Sequence, residues 1–83
     1  MTTPAESLLL YRLIATSLSG EDFPETITYG IRICQKNGSK IITKAAVEDI
    51  SPDRKAVSDL CRLMEEEQLD PVHLREVVED FLS

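Results

Sequence analysis

The sequence predicts an α+β domain: a three-stranded antiparallel sheet followed by two helices that pack on one of its faces. Three observations carry this. Between Thr26 and Ile50, the residues Ile27, Tyr29, Ile31 and Ile33 interleave with Thr28, Gly30, Arg32 and Cys34, the period-two pattern of a half-buried strand. Asn37-Gly38 follows and a second run, Ile41 to Val47, returns; that is a hairpin, because both turn residues accept positive φ at little steric cost. Beyond Ser51 the apolar spacing lengthens to that of a helix, with Val57, Leu60, Cys61 and Met64, then Leu74, Val77, Val78 and Phe81.

The first strand is the least distinct. Ser7 to Ser17 holds Leu8, Leu9, Leu10, Leu13 and Ile14, which could also lie along a helix. A lone hairpin is only marginally stable and the segment has no cap other than Ser7, so a strand is expected. Leu9, Tyr11, Leu13 and Ala15 then share one face, and Leu8, Leu10, Arg12, Ile14 and Thr16 the other. Met1 to Glu6 offers nothing to pack and is expected to fray. Leu18 to Glu25, with Gly20 and Pro24, is expected as a loop with Glu21 and Asp22 in solvent and Phe23 tucked against the sheet edge.

Two hairpin registers are open. A two-residue Asn37-Gly38 turn pairs Ile33 with Ile42 and Ile31 with Lys44, which sets charges beside the apolar row. A three-residue loop, Lys36-Asn37-Gly38, with Gly38 left-handed and a bulge there, pairs Ile33 with Ile41, Ile31 with Thr43, Tyr29 with Ala45 and Ile27 with Val47. A slip of one residue exchanges the faces, so the hydrophobic pattern selects the three-residue loop.

Each helix has its own start signal. Ser51 is placed to accept from a first-turn amide, with Pro52 at the first helical position and Asp53 at the positive end of the dipole. Glu65, Glu66 and Glu67 oppose the dipole at the other end, so this helix is expected to stop near Gln68. Asp70-Pro71 repeats the cap, with Leu69 and Leu74 as a hydrophobic staple.

At 83 residues the chain makes one domain, 1–83, with residues 7–50 as the sheet and residues 51–83 as a helical hairpin. The core of so small a chain is one thin layer. The composition is 42% hydrophobic and 29% charged, that of a globular protein. No apolar run spans a bilayer and no signal-peptide pattern is present, so the expected location is the cytoplasm and no membrane contact is expected. Net charge is −6, and residues 1–48 balance five acids against five bases while residues 49–83 set ten acids against four. An acidic chain argues against nucleic acid, whose affinity comes largely from neutralised phosphates. Cys34 and Cys61 fit no metal spacing and fall on opposite sides of the sheet, so free thiols are expected.

The runs YGIRI (Tyr29–Ile33), DISPD (Asp49–Asp53) and LDPVHLREVVEDFL (Leu69–Leu82) resemble those of a small bacterial family of unknown function, met mainly in clostridial-type Firmicutes. The resemblance covers most of the chain from about Tyr11 onward. It implies no activity, ligand or catalytic residue.

No nucleophile elbow, phosphate loop or dinucleotide fingerprint occurs. His73 is the single histidine, on a helical flank with Asp70 and Glu76; a metal or catalytic site there would need distant ligands, and a surface role is the simpler reading. Neither enzyme activity nor a cofactor is expected. The outer sheet face is the candidate site. The register places Arg32, Lys40, Lys44, Cys34, Thr28, Ile42 and Ala46 on it, and the first strand adds Leu8, Leu10, Arg12 and Ile14. An ordinary solvated face with cationic stems over scattered aliphatics is one reading. The expected role is contact with a protein partner or a second copy of the chain, as a noncatalytic interaction or regulatory domain. Nucleic-acid binding through the same basic face is one alternative, and a small metal-binding protein or enzyme around His73 is the other.

Overall fold

The computed structural model describes residues 7–20 and 23–83. The expectations for Met1 to Glu6, for Glu21 and Asp22, and for the Phe23 side chain lie outside the described residues. Strand β1 (Ser7–Gly20), β2 (Phe23–Asn37) and β3 (Lys40–Ser51) precede helix α1 (Arg54–Glu67), a 3-10 turn (Pro71–His73) and helix α2 (Leu74–Leu82). The sheet is antiparallel in the order β1-β2-β3, and both helices cover one face of it, α1 over β1 and β2 and α2 over β3. This is the α+β architecture the sequence predicts.

The strands run longer than their apolar patterns. β1 continues to Gly20 and β2 resumes at Phe23, with Gly20 opposite Phe23. The expected loop from Leu18 to Glu25 is therefore mostly strand. The pairing holds β1 and β2 in one register from Ser7–Asn37 to Leu18–Thr26.

The β2–β3 register differs from both sequence-derived ones. Asn37 pairs with Lys40, which leaves Gly38 and Ser39 as a two-residue turn. Gly38 adopts φ +60, the left-handed conformation expected of it, and glycine at the first central position is what a two-residue hairpin of this kind favours. Near the turn, Cys34 pairs with Thr43, Gln35 with Ile42 and Lys36 with Ile41. This is an odd shift from the expected pairing, so Ile41 and Ile42 exchange faces. Between Cys34–Thr43 and Ile33–Ala45 the register slips by one residue, leaving Lys44 as an extra residue in β3. The bulge restores the phase: Ala45 and Val47 return to the helix side as expected.

A second irregularity follows. Ile31 pairs with Val47 and Tyr29 with Ser51, so Gly30 opposes the three residues Glu48, Asp49 and Ile50. Asp49 has φ 53, and the widened turn of chain delivers Ile50 into the core, where it is 6% exposed. Gly30 is required here. A Cβ built on it would collide with the Val47 carbonyl oxygen and lie 2.8 Å from Glu48 Cα.

The core joins Tyr11, Ile31, Ile33 and Ile50 of the sheet to Val57, Leu60, Cys61 and Met64 of α1 and Leu74 and Val78 of α2. Leu9, Leu13, Tyr29, Ala45, Val47, Leu69 and Val77 pack around it. Several residues expected there are outside it: Ile27, Ile41 and Phe81 are exposed. For Ile27 the reason is length. The 15 residues of β2 extend about 50 Å at about 3.4 Å each, whereas the 14 residues of α1 reach about 21 Å at 1.5 Å each. The sheet overhangs its helical cover at both ends. Ile27 lies beyond the cover towards one end and Ile42 beyond it at the other, whereas Ile41 is exposed because the register turns it to the face away from the helices.

The caps act two residues later than expected at α1. Asp53, not Ser51, is the N-cap: its carboxylate accepts from Ala56 N–H at 3.2 Å, while Ser51 Oγ accepts from Asp53 N–H at 3.1 Å. Pro52 thus precedes the helix. The C-terminal end falls as expected, with Gln68 left-handed and Leu69 N–H donating to the Met64 carbonyl at 3.0 Å. Asp70 accepts from Val72 N–H at 3.1 Å with Pro71 beside it, but the turn it caps is a 3-10 turn and α2 begins only at Leu74.

Candidate functional site

Residues directly opposite in an antiparallel pair point to the same side. The register therefore defines the sheet face turned away from the helices. Its rows are Leu8, Lys36 and Ile41; Leu10, Cys34 and Thr43; Arg12, Arg32 and Ala46; Ile14 with Gly30; and Thr16 with Thr28. Of the sequence-derived site residues, Leu8, Leu10, Arg12, Ile14, Arg32 and Cys34 are brought together here. Ile42, Lys40 and Lys44 are not. Ile42 opposes Gln35 and Lys40 opposes Asn37, both on the other parity, and Lys44 is the bulge residue. Ile41 takes the place expected of Ile42, and Lys36 that of the lysines; the Gly38-Ser39 pair was the signal for this register, overshadowed by Asn37-Gly38.

Among the described residues no helix covers this face, yet two side chains of its central strand are buried. Cys34 is 4% exposed and Thr28 4%. Both are small residues of the central strand: Cys34 lies between Leu10 of β1 and Thr43 of β3, and Thr28 opposite Thr16 of β1. Leu10 and Ile14 are half-buried and Leu8 and Ile41 exposed. Cys34 Sγ lies 3.9 Å from Thr43 Oγ1. Thr28 Oγ1 is buried with no hydrogen-bond partner. Cys34 and Cys61 are both free thiols on opposite sides of the sheet, as expected; burial, with the Glu65 charge second, pushes the Cys61 thiol above its ordinary 9.0.

Charge is distributed by layer. The sheet carries Arg12, Arg32, Lys36, Lys40 and Lys44, and among residues whose side chains are described it holds no acid before Glu48. Arg12 and Arg32 are direct cross-strand partners, an arrangement that like charges disfavour. Among the described residues neither guanidinium has a carboxylate partner; Lys55 pairs with Asp59 at 3.0 Å, and His73 Nδ1 lies 3.6 Å from Glu76 Oε2.

The other candidate, around His73, is open. The His73 and Glu76 side chains are 56% and 78% exposed, and the Asp70 carboxylate is engaged as a cap. Among the described residues no three His, Cys, Asp or Glu side chains converge as metal ligands. A shallow cleft of about 230 Å³ lies between β3 and α2, lined by Ala45, Ala46, Val47, Pro71, Val72, Leu74 and Arg75. Among the described residues no helix is long and apolar enough to cross a membrane.

A family model for a family of unknown function, DUF6514, matches residues 2–83. The chain belongs to the DUF6514 family. No curated protein and no solved structure matches it. Membership in DUF6514 agrees with the resemblance drawn from YGIRI, DISPD and LDPVHLREVVEDFL, and the match extends it almost to the first residue.

Proposed function

We propose that this DUF6514 chain is a noncatalytic protein-interaction or regulatory domain that takes an acidic, aliphatic protein segment on its outer sheet face. The observation that carries the reading is the cross-strand pair Arg12–Arg32, without a carboxylate partner among the described residues and flanked by the aliphatics Leu10 and Ile14, on a face that also carries Leu8 and Ile41. Two adjacent guanidiniums repel until an anion neutralises them, and the surrounding side chains supply apolar area to a partner that brings both kinds of group. A second copy stacked face to face would bring four arginines together, so charge favours a different, acidic partner for this face. The exposed His73–Glu76 pair, screened by water on both sides, supports a noncatalytic reading.

The test uses a peptide of alternating Glu and Leu, its Lys-Leu counterpart and a mixed oligonucleotide, each titrated into labelled protein. The expected result is shifts of the Arg32, Cys34 and Thr43 amides with the Glu-Leu peptide alone, weakened by salt and abolished in Arg32→Glu. Shifts confined to the helices, or no shift with any probe, would sink the reading; equal shifts with the oligonucleotide would transfer the face to nucleic acid.

A further inference from the structure

The two edges of the sheet are unlike. Natural edge strands are blunted by lysines, bulges or covering elements, because an open row of N–H and C=O groups templates pairing with another strand. β3 has these guards: Lys40, Lys44, the bulge at Lys44 and the distorted turn at Glu48 to Ile50. β1 has almost none. From Ser7 to Leu18 it pairs with β2 in unbroken register, and its one charged residue over that length is Arg12. Among the described residues, its backbone from Leu8 to Thr16 is hydrogen-bonded to nothing but β2, and the one further bond there is made by the Tyr11 side chain.

We propose that the open edge of β1 pairs antiparallel with β1 of a second copy, making a two-fold dimer with a continuous six-stranded sheet. An open edge accepts a strand, and the side chains select which one. β3 of another copy would set Lys40 and Lys44 along a strand whose one charge is Arg12, and its bulges break the ladder. A second β1 fits. A two-fold axis perpendicular to the sheet keeps both helical layers on one side and makes the contact self-complementary. Centred on Arg12 it would oppose two guanidiniums. Centred on Tyr11 it sets Leu9 against Leu13 of the second copy, Leu8 against Ile14 and Leu10 against Arg12, so aliphatics meet aliphatics and the cation lies along a leucine. One strand pair buries area at the low end of specific interfaces, below about 1,200 Å², so the dimer is reversible. The backbone row of this edge is distinct from the partner-binding face, although Leu8, Leu10, Arg12 and Ile14 line both, and the dimer places two such faces side by side.

Sedimentation velocity of the full chain over a dilution series, with backbone amide exchange at both ends of the series, tests it. The expected result is a monomer–dimer equilibrium in which alternate β1 amides exchange slowly only in the concentrated sample. Leu8→Lys with Ile14→Lys should give a monomer, and Leu8→Lys with Ile14→Glu should restore the dimer through an ion pair that only this register creates. Arg32→Glu, on the central strand, should leave the dimer intact while removing peptide binding. A wild-type chain that stays monomeric throughout would overturn the proposal. So would a dimer whose β1 amides exchange as fast as in the monomer, or two double variants that behave alike.

Discussion

The Tyr11 hydroxyl donates a 2.7 Å hydrogen bond to the carbonyl of Leu69. Those residues are 58 positions apart, and the bond fastens the edge strand to the connection between the two helices. Leu69 has a second role there, since its own N–H closes the end of α1 on Met64. Tyr11→Phe keeps the buried ring and strands a partly buried carbonyl. The expected loss is about 1–2 kcal/mol in a urea melt, with faster amide exchange around Leu69.

The same hydroxyl makes stability fall at alkaline pH. Burial, then the charges of Asp70 and Glu65, raise the Tyr11 phenol above its ordinary 10.0. A group whose pKa is raised by folding binds more protons in the native state between the two values. Its contribution is complete below pH 10.0 and is lost as pH climbs through the folded value. Tyr11→Phe should therefore flatten the stability profile above that pH. A spectrophotometric titration of tyrosinate should lose its late phase in the same variant; an unchanged late phase would contradict the assignment.

Glycine is needed at Gly30 for space and at Gly38 for backbone angle. Gly30→Ala forces a methyl group into the Val47 carbonyl and should cost about 3 kcal/mol, at the upper end of overpacking effects. Gly38→Ala meets nothing within 4 Å but keeps φ +60, so its cost should be about 1 kcal/mol. Equal thermal shifts for the two would show that β2 does not approach β3 so closely.

Thr28→Val should stabilise. The hydroxyl it removes is buried without a hydrogen-bond partner, and the replacement has nearly the same shape. A gain of about 1 kcal/mol in denaturant melts is expected. A loss would mean that Thr28 Oγ1 has a partner in solution.

Ile33 and Ile42 lie on the same side of the sheet with different surroundings. Ile33 is fully buried and Ile42 is 47% exposed. Ile33→Ala should cost about 3–5 kcal/mol, and Ile42→Ala under about 1 kcal/mol. Similar costs in urea would mean that the helices reach the hairpin end.

The order of elements, the antiparallel hairpin, the left-handed Gly38, the Asp70 cap, the arrest of α1 at Gln68 and the inner row from Tyr11 to Ile33 follow from the sequence itself. Each depends on residues near in the chain or on a short repeat period. The contrast between a basic sheet and an acidic helical layer is equally legible, since it needs only the assignment of segments. Tertiary structure decided the rest. The bulge at Lys44 and the distortion opposite Gly30 reset the register twice along β3, and period-two alternation cannot reveal an interruption of its own phase. Ile41 and Ile42 therefore exchanged faces, while Ala45 and Val47 kept theirs. Ile50 entered the core through a left-handed Asp49 that no local preference announces. Ile27 and Ile42 remained exposed because two short helices cannot span a sheet of 12- to 15-residue strands, a mismatch of lengths that appears only when the layers are stacked.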